Sequence, residues 1–220
     1  MGARVAVVGD DLTAEVAARA LGAGGVGELL LVRRSGPWLE SVAAAAGGSN
    51  PETRIAWRTW PVTGSGWLEA LGGCDAVMRS DFDDDPMLRA AVRLGVPVVV
   101  ARAGAAAVDV VSFRRQGPCP HVPLEVPEAS ASEPPAVGAE AVIAGEMAAA
   151  ELLLLLAGAL AGAPRAHHAR LPLDGGEPRA TEIPWAPECF ACGGAGSEMV
   201  LAEAAGKSAA APAPPRGLPS

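Results

Sequence analysis

RVAVVGDDLTAEVAARALGAGGVGELLLV, residues 4–32, is the stretch from which the fold is read. Its first five residues form a short β-branched run that stops at Gly9. A loop of Asp10, Asp11 and Leu12 leads into an alanine-rich helical stretch over 13–21, for which Thr13 is a suitable N-cap. Glycines in 22–27 break that helix, and the run ELLLV over 28–32 reads as a second strand. Neither strand alternates apolar with polar residues. A strand that is apolar on both faces belongs in a parallel sheet covered on both sides. The unit is therefore a βαβ start of the dinucleotide-binding kind.

The same rhythm continues outward. A helix is expected over 38–46, a turn over 47–51 and a strand over 54–59. A short helix over 67–71 precedes a strand over 76–79, and Pro86 opens a helix over 86–94. Strands follow over 97–101 and 108–113. The proline-rich segment 122–137 is a crossover loop, 139–160 a long helix and 180–185 a last strand before a Cys-x-x-Cys turn. Residues 207–220 have the composition of a disordered tail. The expectation is an α/β chain with a Rossmann-like, mostly parallel sheet flanked by helices. Its core spans 1–121, and 138–206 completes the same domain beyond the loop.

Composition narrows the function. The chain has 220 residues, half of them apolar, with a net charge of -8 and no tyrosine. That length suffices for a core, here mainly of Ala, Val and Leu. Nucleic-acid binding is not expected, because it needs clustered Lys and Arg, and only the pairs Arg33-Arg34 and Arg114-Arg115 are present. The apolar stretch 152–164 is too short to cross a bilayer, and residues 1–11 hold one short apolar run, so no membrane partner or secretory signal is expected. A cytoplasmic location follows, where cysteines more often bind metal or lie buried than form disulfides.

Four stretches, in this order, resemble the ThiF/MoeB superfamily of adenylating enzymes related to ubiquitin-activating enzymes. The first is 4–32 itself. The second is Asn50-Pro51-Glu52-Thr53-Arg54-Ile55, leading into the third strand. The third runs from Cys74-Asp75-Ala76-Val77 to Arg93-Leu94-Gly95-Val96-Pro97-Val98. The fourth is Ile143-Ala144-Gly145-Glu146-Met147-Ala148-Ala149-Ala150-Glu151-Leu152. The resemblance implies a nucleotide loop at Gly9.

The chain departs from the family at that loop. Glycines there let backbone approach phosphates at a helix N-terminus. Of the G-x-G-x-x-G pattern only Gly9 survives, and Asp11 stands where the second glycine belongs. Like charges a few Å apart cost on the order of 1 to 4 kcal/mol. The second strand ends in Arg33-Arg34 instead of a ribose-binding acid. The family's Asn, Arg, Gln and Lys have no counterpart in Ser35-Gly36-Pro37-Trp38. Asp81 and Asp83 lie near the position of the Mg-binding Asp but out of register, and the crossover loop carries no cysteine. Bound ATP-Mg is therefore not expected. These departures point to a retained fold without adenylation, and the resemblance implies a scaffold or one half of a homodimer or heterodimer. Two other readings stay open. One is an active adenylyltransferase that activates a carrier-protein or peptide C-terminus. The other is a Rossmann-type binder of a cation or small hydroxylated ligand at Asp10 and Asp11.

Relatives in that superfamily hold a structural zinc between two Cys-x-x-Cys pairs. Gly117-Pro118-Cys119-Pro120-His121 is similar to the first turn, and Cys189-Phe190-Ala191-Cys192 to the second. The resemblance implies a zinc clamp of Cys119, His121, Cys189 and Cys192, a closed tetrahedral set with no open position for substrate. A redox pair at Cys189 and Cys192, or no role at all, are the other readings. The acidic run 81–85 reads as a solvated loop, His167-His168 as a surface loop, Cys74 as a buried inert thiol, and Trp57 and Trp60 as core or partner surface.

Overall fold

The computed structural model describes residues 2–34, 42, 44, 47–48, 50–61, 63–80, 86–113, 138–160 and 166–183. Eight strands form one sheet in the order β3-β2-β1-β4-β5-β6-β7-β8. They are β1 (Arg4–Val8), β2 (Glu28–Arg33), β3 (Arg54–Thr59), β4 (Ala76–Arg79), β5 (Val98–Ala103), β6 (Ala107–Phe113), β7 (Ala166–Pro172) and β8 (Arg179–Glu182). The described helices are α1 (Leu12–Ala23), α2 (Gly64–Leu71), α3 (Pro86–Leu94) and α4 (Ala139–Leu156). Strands β1 to β5 pair in parallel, as the apolar runs predict, whereas β6, β7 and β8 pair antiparallel. The architecture is Rossmann-like.

The uninterrupted apolar strands are explained by two cores. Val5, Val7, Leu29, Leu31, Ala76 and Met78 face one side, under α1 and α4. Ala6, Val8, Leu30, Val32 and Val77 face the other, with Trp67 and Leu71 of α2 and Met87 and Leu88 of α3. Period-two alternation is therefore present in space but invisible in the residue types. The motif at Asn50 is a turn that anchors β3. The Asn50 side chain accepts from the Glu52 amide at 3.0 Å, and the buried Thr53 hydroxyl donates to the Val26 carbonyl at 2.8 Å.

Several sequence expectations are corrected. Helix α1 starts earlier, at Leu12, with Asp11 as its cap: an Asp11 carboxylate oxygen accepts from the Ala14 amide at 2.9 Å, so Thr13 lies within the helix. Helix α4 ends at Leu156 rather than at 160, because the chain leaves helical geometry through turns over 157–160. The His167-His168 segment is strand β7, not a loop. Its sequence, AHHARLP, lacks the β-branched run that marked the other strands, and its pairing with β6 supplies the order. The last strand is shifted to Arg179–Glu182. Most of the helix expected over 38–46, the crossover loop and the tail fall outside the described residues, although Val42 and Ala44 are helical.

Candidate functional site

In an open α/β sheet, ligands bind beyond the carboxyl ends of the strands where the strand order reverses. Here that point lies between β1 and β4, because β2 and β3 stack outward on one side and β4 and β5 on the other. The residues gathered there are Gly9, Asp10 and Asp11 after β1, Arg33 and Arg34 at the end of β2, Trp60 after β3, and Arg79 and Ser80 at the end of β4.

Gly9 is needed at its position. Its φ is +155°, and an added Cβ would stand 2.1 Å from Ser80 Oγ and 2.9 Å from the Ala14 Cβ. The loop thus passes against β4 with no room for a side chain. Its amide donates to the Val32 carbonyl at 3.2 Å, which fastens the loop to β2.

Asp11 turns inward. Besides capping α1, its carboxyl is pulled down by the nearby Ser80 hydroxyl and by the charge of Arg33. Burial still dominates and raises the Asp11 carboxyl above its ordinary 3.8, against the pull of the Ala14 amide, Ser80 and Arg33. Arg33 is 4% exposed and follows Leu29 and Leu31 on the α1 side of β2.

The other wall is cationic and aromatic. Arg34 and Arg79 lie over Trp60, their guanidinium carbons 4.9 and 5.3 Å from the ring centroid. Trp60 in turn meets the fully buried Trp67 edge-on, with centroids 5.2 Å apart. Asp10 accepts from the Arg34 amide at 3.0 Å, while its ion pair with the Arg34 side chain is long, at 4.0 Å, and exposed. Arginines therefore gather at the ends of β2 and β4, and carboxylates in the loop after β1.

Of the residues singled out from sequence, Gly9, Asp10, Asp11, Arg33, Arg34 and Trp60 lie in this crevice. The implied zinc ligands Cys119, His121, Cys189 and Cys192 all lie outside the described residues, as do Asp81 and Asp83. Among the described residues no group of three or more His, Cys, Asp or Glu is arranged to hold a metal ion. Cys74 is buried, and burial raises its thiol pKa, as suits an unreactive thiol. Trp57 is 61% exposed on β3, which forms one edge of the sheet.

Sequence reading missed the polar network on β6 and β7. The two histidines point to opposite faces of the sheet. The His168 ring lies 2.7 Å from a carboxylate oxygen of Asp109, and Arg170 donates to the same oxygen at 3.3 Å. On the other face the His167 ring lies 3.1 Å from Ser112 Oγ and 3.3 Å from a carboxylate oxygen of Glu151 on α4. Ser112 is wholly buried, so this row of hydroxyl, imidazole and carboxylate ties β7 to β6 and α4 and presents no nucleophile to solvent. The period-two placement of His168 and Arg170 is the one signal in the sequence that fits a strand here.

No helix among the described residues is long and apolar enough to cross a membrane. No family model matches the chain, and no curated protein matches it. Solved structures do. PaaA aligns with a TM-score of 0.68 at 13% identity, over 82% of this chain and 64% of that one. E. coli MccB with ATP aligns with a TM-score of 0.70 at 14% identity, over 87% of this chain and 67% of that one. The microcin C7 biosynthetic enzyme MccB in complex with N-formylated MccA aligns with a TM-score of 0.68 at 13% identity, over the same shares. The chain thus spans about two thirds of the length of these structures and shares their fold.

Proposed function

We propose that this chain is a degenerate ThiF-like protein, a scaffold or partner subunit that does not adenylate. The observation that carries the reading is Asp11, whose carboxylate takes the Ala14 amide at the N-terminus of α1. That amide faces the place where a nucleotide phosphate would need it, and a phosphate would meet a carboxylate instead. Arg33 and Arg34 at the end of β2 remove the ribose-binding acid as well. Trp57, exposed on an edge strand between Arg54 and Arg58, is the candidate contact for a protein partner, either a second copy or another subunit.

A zinc clamp belongs to the same reading. Cys119, His121, Cys189 and Cys192 offer three thiolates and an imidazole, a donor set that tetrahedral zinc takes. In that role the metal would tie the segment after β8 to the segment after β6 and would carry no chemistry.

The rival reading is an active adenylyltransferase whose missing cationic groups come from a second chain. It is favoured by the likeness to a structure of MccB solved with ATP. ATP-dependent pyrophosphate exchange separates the two. The scaffold reading expects no exchange, and no rise in Tm with millimolar ATP-Mg, because a ligand that binds the native state stabilises it by mass action. Exchange above background would overturn it.

A further inference from the structure

Strands β5 to β8 pair antiparallel, so residues directly opposite one another point to the same face of the sheet. The register sets Arg102 of β5 against Asp109 of β6, Asp109 against Arg170 of β7, and Arg170 against Arg179 of β8. These four side chains form one row across four strands. The row lies on the face of Val111 and Phe113, opposite the face on which Ser112 and His167 meet α4. One carboxylate thus stands among three guanidinium groups, and it is already engaged. A single Asp109 oxygen meets the His168 ring at 2.7 Å and Arg170 at 3.3 Å. Arg170 and Arg179 are like charges directly opposite, which destabilises a sheet. Neighbouring rows show no such conflict: Val98, Phe113 and Ala166 are apolar, and on the other face His167 stands opposite Glu182. A local conflict in an otherwise consistent sheet is expected where it serves function.

We propose that this arginine row is a docking surface for an acidic peptide segment of a partner protein. It lies outside the crevice between β1 and β4 and holds whether or not the chain adenylates. Charge and spacing choose the occupant. Arg102 and Arg170 are half-buried and Arg179 is exposed, so a partner can reach the row. Neighbouring strands lie about 4.8 Å apart, which puts Arg102 and Arg179 about 14 Å apart. An extended peptide of about five residues covers that distance and aims every second side chain to one side. Glu or Asp at those positions meets guanidinium forks, which take carboxylates bidentately. A nucleic acid fits less well, because its charge runs on beyond the row over a chain whose net charge is -8.

The test uses the full-length chain and a short fluorescent peptide of alternating Glu and Ser, with the same peptide carrying Gln for Glu as its control. Binding is read by anisotropy at fixed ionic strength, and circular dichroism confirms the fold of each variant. The Glu peptide is expected to bind and the Gln peptide not to. Arg102→Gln combined with Arg179→Gln leaves the hydrogen bonds of Asp109 in place and is expected to weaken binding about tenfold. Arg19→Gln combined with Arg93→Gln removes the same charge from exposed positions on α1 and α3 and is expected to leave binding unchanged. Arg179→Gln alone is expected to raise the Tm by about 1–3 °C, because it removes the like charge opposite Arg170. The proposal is overturned if the Glu peptide binds no better than the Gln peptide, or if both double variants weaken it alike. A lower Tm for Arg179→Gln would make that arginine a structural residue and overturn it too. So would a single-stranded oligonucleotide that binds as tightly as the Glu peptide and is lost in the same double variant. Should Arg102→Gln with Arg179→Gln fail to fold, the exposed Arg179→Gln decides alone, by a loss of about threefold.

Discussion

The Asp11 carboxylate caps α1 through the Ala14 amide while sitting in surroundings that favour its neutral form. The net effect is a folded-state pKa above the ordinary 3.8, with burial as the largest cause. The sign of the linkage follows. Between 3.8 and the raised value the folded chain holds more protons on this group than the unfolded chain does. Stability from Asp11 is therefore greatest at low pH and is lost as the pH rises through the folded pKa. The isosteric Asp11→Asn chain keeps a cap acceptor and cannot ionise. Its stability relative to wild type, from urea midpoints between about pH 4 and 7, should rise with pH and then level off. A difference that falls with pH would mean that the hydrogen bonds outweigh burial. The departure at Asp11 is readable from residue order, because a glycine is missing from a known pattern. The burial of Arg33 is not, since it depends on which face of β2 meets α1.

Helices α1 and α4 approach each other through small residues. Ala141, Ala144, Gly145, Ala148 and Ala149 of α4 are buried, and a Cβ added at Gly145 would lie 2.7 Å from the Thr13 carbonyl oxygen and 2.8 Å from the Val16 Cβ. Two effects oppose each other in Gly145→Ala. Helix propensity favours the change by about 1 kcal/mol. Overpacking against backbone costs roughly 1–3 kcal/mol and has little room to relax, because one contact is a main-chain oxygen. The expected result is a net loss of up to about 2 kcal/mol in denaturant unfolding, with the m-value unchanged. A more stable variant would show that the helices have room to separate. The stretch 143–152 is legible as a helix from its alanines and leucines, but the glycine's purpose is visible only in what stands opposite.

The whole molecule is a helix–sheet–helix sandwich whose far edge, β6 to β8, reverses direction and leads into residues outside the described set. If a metal clamps that edge, its loss should be felt globally. Purified chain is expected to hold about one zinc, lost in Cys189→Ala, and chelation is expected to lower the Tm as metal binding energy is withdrawn from folding. Metal-free protein with the same Tm before and after chelator would dispose of the clamp.

Residue order alone settles the parallel half of the sheet, because a strand buried on both faces must be apolar throughout and the runs at 4–8, 28–32, 76–79 and 97–101 are nearly so. It also settles Gly9 as the turn after β1. The antiparallel strands were harder. β6 is apolar enough to be expected, but β7 carries His167, His168 and Arg170, whose partners lie 55 to 61 residues away on β6 and only 16 away on α4. Such residues look like solvated loop until Asp109, Ser112 and Glu151 are brought beside them. Long-range pairing is what makes a polar segment a strand, and what brings the Asp109 carboxylate, His168 and Arg170 together from separate strands, because such an interaction leaves no local pattern along the chain.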